Sequence, residues 1–311
     1  MPAHGDYSRE EELLSRLLSR NPGRTVSQAE GSAWGHLILP APDENPLEPK
    51  SGTRVLFIGS WILGMLGLQG VKKAARENPG RLNLVALVTD DPLDPNAKIS
   101  VHKRFWRYYS EQRREDYELS ILEEALIFGV SCYTGEVKNA MFRGLLADWD
   151  PEIIVVCAFG QLIDKEIIEQ PRLGIYNVHP SDLLHHYGAG PQPWEDIVAR
   201  KATTNRTSVH WVSETIDEGS VVGQSPPINV ALPDGQPCED VLLIGEKSMM
   251  VVPRLVEELL RQLIARKESG ESGPITTIDF DQAFLPAERD SLMLPIDPSQ
   301  FGRLLVLPPG A

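Results

Sequence analysis

The sequence predicts an α/β fold, a doubly wound Rossmann-like sheet of mostly parallel strands. From Arg54 onward, short apolar runs alternate with stretches of helical periodicity. The runs Val55–Ile58 and Ile153–Ala158 are wholly apolar, which is typical of parallel strands buried on both faces. An N-terminal helical extension and a short C-terminal tail complete the prediction. Ligands of such a sheet bind at the carboxyl ends of its strands.

The predicted elements alternate along the chain. Predicted strands cover residues 55–58, 82–88, 131–133, 153–158, 174–178, 208–212 and 220–223, with a last plausible strand at 275–280. Predicted helices cover residues 118–128, 137–146, 165–169 and 241–264, the last with a break at Pro253.

The first fifty residues are expected to form an extension outside the main core. Leu13, Leu14, Leu17 and Leu18 recur on one face of a short amphipathic helix. We expect this helix to pack on the main domain or on a partner in a homodimer. Residues 40–49, with four prolines and several acids, predict a linker. The predicted organisation is an extension at 1–50, a catalytic domain at 51–235 and a helix with an irregular tail at 236–311.

Charge and cysteine content narrow the class of protein. The chain has 30 Lys and Arg residues against 44 Asp and Glu residues, for a net charge of −14. Such a charge disfavours a nucleic-acid partner. The three cysteines are widely spaced, which fits neither a disulfide framework nor a metal site. With no apolar run near the roughly 18 residues of a membrane span, and an acidic start, we expect a cytoplasmic protein without a membrane partner.

Two further patterns have a structural and a functional interpretation. Gly59, Gly64 and Gly67 follow the first predicted strand, but their spacing differs from the dinucleotide-binding pattern, so we expect tight packing. Residues 98–109 interleave basic and aromatic side chains, which can clasp phosphates. We favour a helix with its aromatic residues turned inward. If the segment binds a ligand, a phosphate or carboxylate of the acceptor is the more economical partner.

Asn177 and His179 lie two residues apart at the end of a predicted strand, so both side chains point to the same face. Pro180 ends the strand there. An amide donor beside an imidazole suits the binding of a developing oxyanion. The pair could equally satisfy backbone groups at a strand end. Asp217, two residues before Gly219, by itself predicts a turn.

Taken together, these motifs resemble the folate-dependent formyltransferase family, which includes glycinamide ribonucleotide, methionyl-tRNA and sugar N-formyltransferases. An Asn-x-His-Pro-Ser segment at residues 177–181 precedes Gly188, nine residues after the histidine. Asp217-x-Gly219 then follows. The resemblance extends from about Arg54 to about Ile228.

The resemblance implies roles for these residues. Asn177 and His179 would polarise a formyl carbonyl and stabilise the product of amine attack. Asp217 would orient His179 or a water and help to remove the amine proton. His210 would lie beside Asp217 without contacting the reacting atoms. Such chemistry needs no metal and no covalent nucleophile.

A second segment resembles the family's loop that clasps the folate pterin. It consists of Ala158, Phe159, Gly160, Gln161, Leu162 and Ile163. The resemblance thus implies 10-formyltetrahydrofolate as the co-substrate of a formyltransferase, and no metal.

The chain departs from the family after Ser181. Asp182, His185 and His186 occupy a segment where the family usually continues Leu-Leu-Pro. We expect Ser181, Gly188 and these three residues to form a loop that faces the acceptor or the solvent. A metal pair at His185 and His186 is the weaker interpretation, since no third ligand is evident.

The last open point is the acceptor. Methionyl-tRNA formyltransferases carry a basic C-terminal domain, whereas the residues after Ala265 are few and acidic. We therefore expect a small-molecule amine in place of tRNA. The alternatives are a hydrolase that releases formate from 10-formyltetrahydrofolate and a folate-binding protein without turnover.

Overall fold

The computed structural model of the chain describes residues 8–21, 23–27, 35–40, 51–92 and 117–299. The strands are β1 (Gly23–Ser27), β2 (Gly35–Pro40), β3 (Thr53–Gly59), β4 (Leu82–Thr89), β5 (Ser131–Gly135), β6 (Ile153–Cys157), β7 (Ile175–His179), β8 (Thr204–Asn205), β9 (Ser208–Trp211), β10 (Val221–Gln224) and β11 (Ile228–Asn229). The helices are α1 (Ser8–Arg20), α2 (Trp61–Glu77), α3 (Ser120–Phe128), α4 (Ala140–Trp149), α5 (Lys165–Ile168), α6 (Pro193–Ala199), α7 (Val241–Met249), α8 (Val252–Glu268) and α9 (Pro286–Leu292). Two 3-10 turns span Leu183–His185 and Phe280–Ala283.

Nine strands form one sheet in the order β1-β2-β5-β4-β3-β6-β7-β9-β10. The five central strands, β5 to β7 in this order, are parallel, and an antiparallel pair flanks them on each side. The predicted Rossmann-like α/β fold is thereby confirmed. The chain runs outward from β3 through β4 to β5 and then returns to β6 on the other side. The topological switch point therefore lies between β3 and β6, where ligands bind in open α/β sheets.

Close packing explains the glycines that follow β3. A Cβ atom on Gly67 would lie 3.0 Å from the Cβ of Cys157 in β6, and one on Gly64 would lie 2.9 Å from the backbone of Gly59. Helix α2 can therefore approach the sheet only without side chains at these positions. This confirms the packing interpretation.

Helix α1 packs on the main domain, which is one of the two positions expected for it, and it forms part of the main core. Leu13, Leu14 and Leu17 of α1 are buried in the same hydrophobic cluster as β3 and α2. Strand β2 pairs antiparallel with β5, which would otherwise leave an open sheet edge. The domain boundaries at residues 50 and 235 remain predictions. Of the predicted linker, Pro40 lies in β2, and the remainder lies outside the described residues.

Other predictions differ in detail. The predicted strand at residues 275–280 was wrong: this segment makes one backbone hydrogen bond to β10, from Ile278 N to Val222 O at 2.8 Å, and then enters a 3-10 turn. Helix α4 begins later than predicted, because the side chain of Asn139 caps it by accepting a hydrogen bond from Phe142 N. The break at Pro253 is confirmed, since proline stands in the first turn of α8.

Strands β1, β2, β8 and β11 were not predicted, and the basic aromatic stretch at residues 98–109 lies outside the described residues. Within the described ranges, no helix combines the length and the apolar character needed to cross a bilayer.

A buried carboxylate ties the amino end of the sheet to α8. The side chain of Glu152 is 1% exposed and accepts hydrogen bonds from Arg54 N at 3.0 Å, Arg172 Nε at 2.9 Å and Lys267 Nζ at 3.0 Å. Burial would raise the pKa of Glu152, but the hydrogen bonds from Lys267, Arg172 and Arg54 lower it from 4.5 to about 2.

We predict that Glu152→Gln destabilises the protein by about 2 kcal/mol at pH 7, because the variant loses the charge that pairs with Arg172 and Lys267. The loss is limited to this size because both partners are partly exposed and water screens the attraction. A lowered pKa contributes stability above about pH 4.5 that is lost as pH falls toward 2. The difference between variant and wild type should therefore shrink over that interval in urea unfolding. Glu169→Gln, at an exposed position, is the control and should change the free energy of unfolding by less than about 0.5 kcal/mol.

Candidate active site

A cavity of 330 Å³ opens at the carboxyl ends of β6 and β7, next to the switch point. This volume is typical of a small-molecule site. Its described lining comes from the start of α2, the loop after β6, the end of β7, the segment at residues 190–194 and the loop that ends at Asp217.

Asn177 and His179 both line this cavity, as their spacing in β7 predicted. Strand β9 pairs with β7 so that His210 stands directly opposite Asn177. The amide nitrogen of Asn177 lies 3.0 Å from His210 Nε2 and 3.3 Å from Asp217 Oδ1. The pairing of two strands therefore brings the amide beside an imidazole and a carboxylate.

The ring of His179 is held in one orientation. Its Nε2 lies 2.8 Å from the carbonyl oxygen of Gly188, which can only accept, so Nε2 carries a proton. The other nitrogen, Nδ1, lies 3.6 Å from Asp217 Oδ2. Burial lowers the pKa of His179, and this outweighs the opposing effects of the Asp217 charge and the Gly188 hydrogen bond. At neutral pH, His179 is therefore a neutral imidazole with a free lone pair on Nδ1.

His210 takes the opposite tautomer. Its Nδ1 donates to the carbonyl oxygen of Trp211 at 2.7 Å, so its Nε2 is the acceptor for Asn177 Nδ2. This requirement sets the orientation of the Asn177 amide. His210 Nε2 also lies 3.4 Å from Asp217 Oδ1. His210 thus contacts both Asn177 and Asp217.

Asp217 joins these groups. Its side chain is 10% exposed, and its Oδ2 accepts a hydrogen bond from Gly190 N at 2.8 Å. Burial would raise the pKa of Asp217, but the nearby His179 and His210 and the Gly190 hydrogen bond hold it well below its usual value. Its backbone is left-handed, with φ 54°. The site therefore contains a permanently charged carboxylate between two imidazoles.

The loop after β6 forms another part of the cavity wall. Five of its six predicted residues line the cavity: Ala158, Phe159, Gln161, Leu162 and Ile163. Gly160 is absent from the lining, and its N–H donates to Asp90 Oδ2 at 3.2 Å. The amide of Gln161 accepts from Val137 N at 3.1 Å and donates to Gly135 O at 2.7 Å. These bonds anchor the loop to the end of β5.

The segment after Ser181 folds upon itself. Asp182 Oδ2 lies 2.7 Å from His185 Nδ1, and Asp182 Oδ1 accepts from Gln224 Nε2 at 2.7 Å. Ser181 Oγ donates to the carbonyl oxygen of Tyr187 at 2.8 Å. Ser181, Asp182, His185, His186 and Gly188 are not part of the cavity lining, although Gly188 reaches it through His179. Their contact with an acceptor remains a prediction.

Sequence reasoning missed two aromatic residues of the cavity. Trp61 and Trp194 both line it, with ring centroids 5.7 Å apart. Their separation in sequence gives no signal of this contact. Sequence reasoning also missed cavity residues just before Asp217, including Thr215 and Ile216. Their closeness to Asp217 in the sequence was the available signal.

We predict that Gly219→Ala disrupts this site. A Cβ atom on Gly219 would collide with the carbonyl oxygen of Trp211, the same oxygen that accepts from His210. Because strand backbone cannot easily move, we expect a loss of about 2–3 kcal/mol in chemical unfolding. Gly144→Ala, in α4 with open space around it, is the matched control and should be neutral or stabilising. Equal stability of the two variants would contradict the prediction.

Part of the chain is similar in sequence to known proteins. The sequence model of the family described as "Formyl transferase" matches residues 111–232. Methionyl-tRNA formyltransferase of Clostridioides difficile (strain 630) is 34% identical over 124 residues, 40% of each chain. The enzyme of that name from Syntrophus aciditrophicus (strain SB) is 35% identical over 88 residues, 28% of each chain. The chain thus matches less than half the length of these curated relatives.

A solved structure shares the fold of this chain. The crystal structure of glycinamide ribonucleotide transformylase 1 from Geobacillus kaustophilus superposes with a TM-score of 0.50 at 20% identity, covering 69% of this chain and 99% of that one. At this identity the likeness shows a shared fold. The similarity to the family described as "Formyl transferase" rests on residues 111–232, which are less than half of the chain.

Proposed function

We propose that this protein transfers a formyl group from 10-formyltetrahydrofolate to an amine of a small-molecule acceptor. The observation that carries the proposal is the convergence of Asn177, His179 and Asp217 on one cavity. All three lie within the segment that matches the family. The net charge of −14 favours a small acceptor over a nucleic acid.

The cavity has the chemistry that a folate donor requires. Phe159, Leu162 and Ile163 supply apolar surface for a flat ring system, while Gln161 and Thr215 add polar groups at its edge. When bound, 10-formyltetrahydrofolate supplies a formyl carbon attached to a nitrogen leaving group. The loop after β6, anchored by Gln161, would hold the ring system.

The three side chains divide the work of the reaction. Asn177 Nδ2 donates a hydrogen bond to the negative charge that develops on the formyl oxygen, giving up its longer 3.3 Å bond to Asp217. His179 Nδ1 accepts the proton that the attacking amine loses as its nitrogen bonds to the formyl carbon. Asp217 stabilises the resulting imidazolium from 3.6 Å. His179 then returns the proton to the departing folate nitrogen as its bond to the formyl carbon breaks, which balances the step.

We predict that Asn177→Ala, His179→Ala and Asp217→Asn each lower turnover by about 100-fold or more. The assay follows tetrahydrofolate release from 10-formyltetrahydrofolate with a panel of amines and with methionyl-tRNA. Asp234→Asn, a change of the same kind at an exposed position outside the cavity lining, is the control and should leave turnover unchanged.

Each other outcome points to a different function. Formate release without any amine would indicate a hydrolase. Methionyl-tRNA as the one effective acceptor would overturn the small-molecule assignment. Full activity in all three variants would remove the basis of the proposal.

The pH dependence of kcat/KM gives a second prediction. Since burial lowers the pKa of His179 below 6.5 and the base must be neutral, the rate should fall on the acid side with a midpoint below pH 6.5. The charge of Asp217 opposes this lowering, so Asp217→Asn should move the midpoint to still lower pH. A midpoint above pH 7, or a shift in the other direction, would contradict the assigned role of His179.

A further inference from the structure

The cavity has two apolar walls that belong to opposite faces of the sheet. Successive residues of a strand point to opposite faces, and the core divides into two clusters accordingly: Val155 belongs to one and Val156 to the other. Phe159 and Ile163 of the predicted folate loop belong to the same cluster as Val156. Trp61 and Trp194 belong to the other. The cavity therefore offers a second apolar wall beyond the one assigned to the folate.

This second wall, which we call the tryptophan wall, consists of Trp61, Leu63 and Trp194. The three side chains are 2–3% exposed, and all of them line the cavity. The two indole rings meet at a 44° angle. Trp61 has a left-handed backbone, with φ 59°, which a bulky side chain rarely adopts. Its N–H donates to Asp91 Oδ2 at 2.6 Å, so a buried hydrogen bond supports this conformation.

The same region is unsuited to an anion. The amino end of a helix that follows a parallel strand is a favourable place for a phosphate, because its free N–H groups and dipole attract negative charge. At the start of α2, the N–H of Trp61 is already bonded to Asp91, and the hydroxyl of Ser60 is bonded to Asp90. Asp90 also accepts from Gly160 N. Both carboxylates are buried, at 3% and 6% exposure, and their position at the end of β4 disfavours a second anion there.

We propose that the acceptor of this enzyme is an amine whose nitrogen is attached to an apolar, phosphate-free group, and that this group packs on the tryptophan wall. The inference rests on the proposed function, because Asn177 and His179 line the same cavity and would meet the amine there. An apolar group buried on this wall gains affinity from the area that it removes from water. A phosphorylated amine would lose hydration, find the Trp61 N–H already bonded to Asp91, and meet two buried carboxylates.

Binding of probe amines to the full chain tests the inference directly. The probes are 2-phenylethylamine and O-phosphoethanolamine. Their binding is measured by isothermal titration calorimetry and by tryptophan fluorescence. We expect 2-phenylethylamine to bind at least tenfold more tightly than O-phosphoethanolamine. Equal or tighter binding of O-phosphoethanolamine would overturn the inference.

Variants locate the binding site. Trp61→Gly removes one ring, and glycine adopts the left-handed backbone without strain. This variant should weaken the binding of 2-phenylethylamine at least tenfold. Trp194→Phe keeps an aromatic ring in the core, so the protein should still fold. This variant should weaken the binding of 2-phenylethylamine less than Trp61→Gly does. The matched variant is Leu162→Ala, on the predicted folate loop and 49% exposed. It should weaken the binding of 5-formyltetrahydrofolate and leave the binding of 2-phenylethylamine unchanged. Loss of amine binding in Leu162→Ala but not in Trp61→Gly would contradict the assignment.

Turnover separates this inference from the proposed function. Formyl transfer with equal kcat/KM to ethanolamine and 2-phenylethylamine would sustain the function and overturn the inference. Binding of 2-phenylethylamine that depends on Trp61, without consumption of 10-formyltetrahydrofolate, would sustain the apolar amine site and overturn the function.

Discussion

The buried carboxylate of Asp217 needs partners for both of its oxygens, and these partners come from separate parts of the chain. An isolated charge in such a place would cost several kcal/mol. Gly190 N supplies one hydrogen bond, while His179, His210 and Asn177 surround the remaining positions. These contacts position β7, β9 and the segment around Gly190 relative to one another. Asp217 itself has a left-handed backbone, with φ 54°.

The two histidines around this carboxylate have complementary roles. His179 donates through Nε2 to Gly188 O, and His210 donates through Nδ1 to Trp211 O. Each ring thus turns its remaining nitrogen toward Asp217. In the proposed reaction, a proton accepted by His179 would meet a negative charge already in place, so little rearrangement would be needed. His210 uses its lone pair to hold the Asn177 amide, and in the proposed reaction it would thereby orient the oxyanion donor.

The sheet determines where the cavity forms. Its switch point between β3 and β6 opens a cleft, and the alternation of side chains gives that cleft one wall from each face of the sheet. Phe159 belongs to one wall and Trp61 to the other. Asn177 pairs with Val156, so its side chain points to the face of the Phe159 wall. A donor and an acceptor that pack on separate walls can approach the same amide and imidazole without competing for one surface.

Local patterns explain what could be predicted from the sequence. The central strands follow from short apolar runs, and the shared face of Asn177 and His179 follows from the two-residue period of a strand. Strands β1 and β2 were missed, because β2 depends on pairing with β5, about a hundred residues away. Residues 275–280 resembled a strand through their apolar spacing, yet they make a single backbone bond to β10.

The sequence by itself determined the fold class, the catalytic candidates and the loop after β6. The tertiary structure alone decided the tautomers of His179 and His210, the charge of Asp217 and the meeting of Trp61 with Trp194, because each depends on burial and on atoms contributed by distant segments.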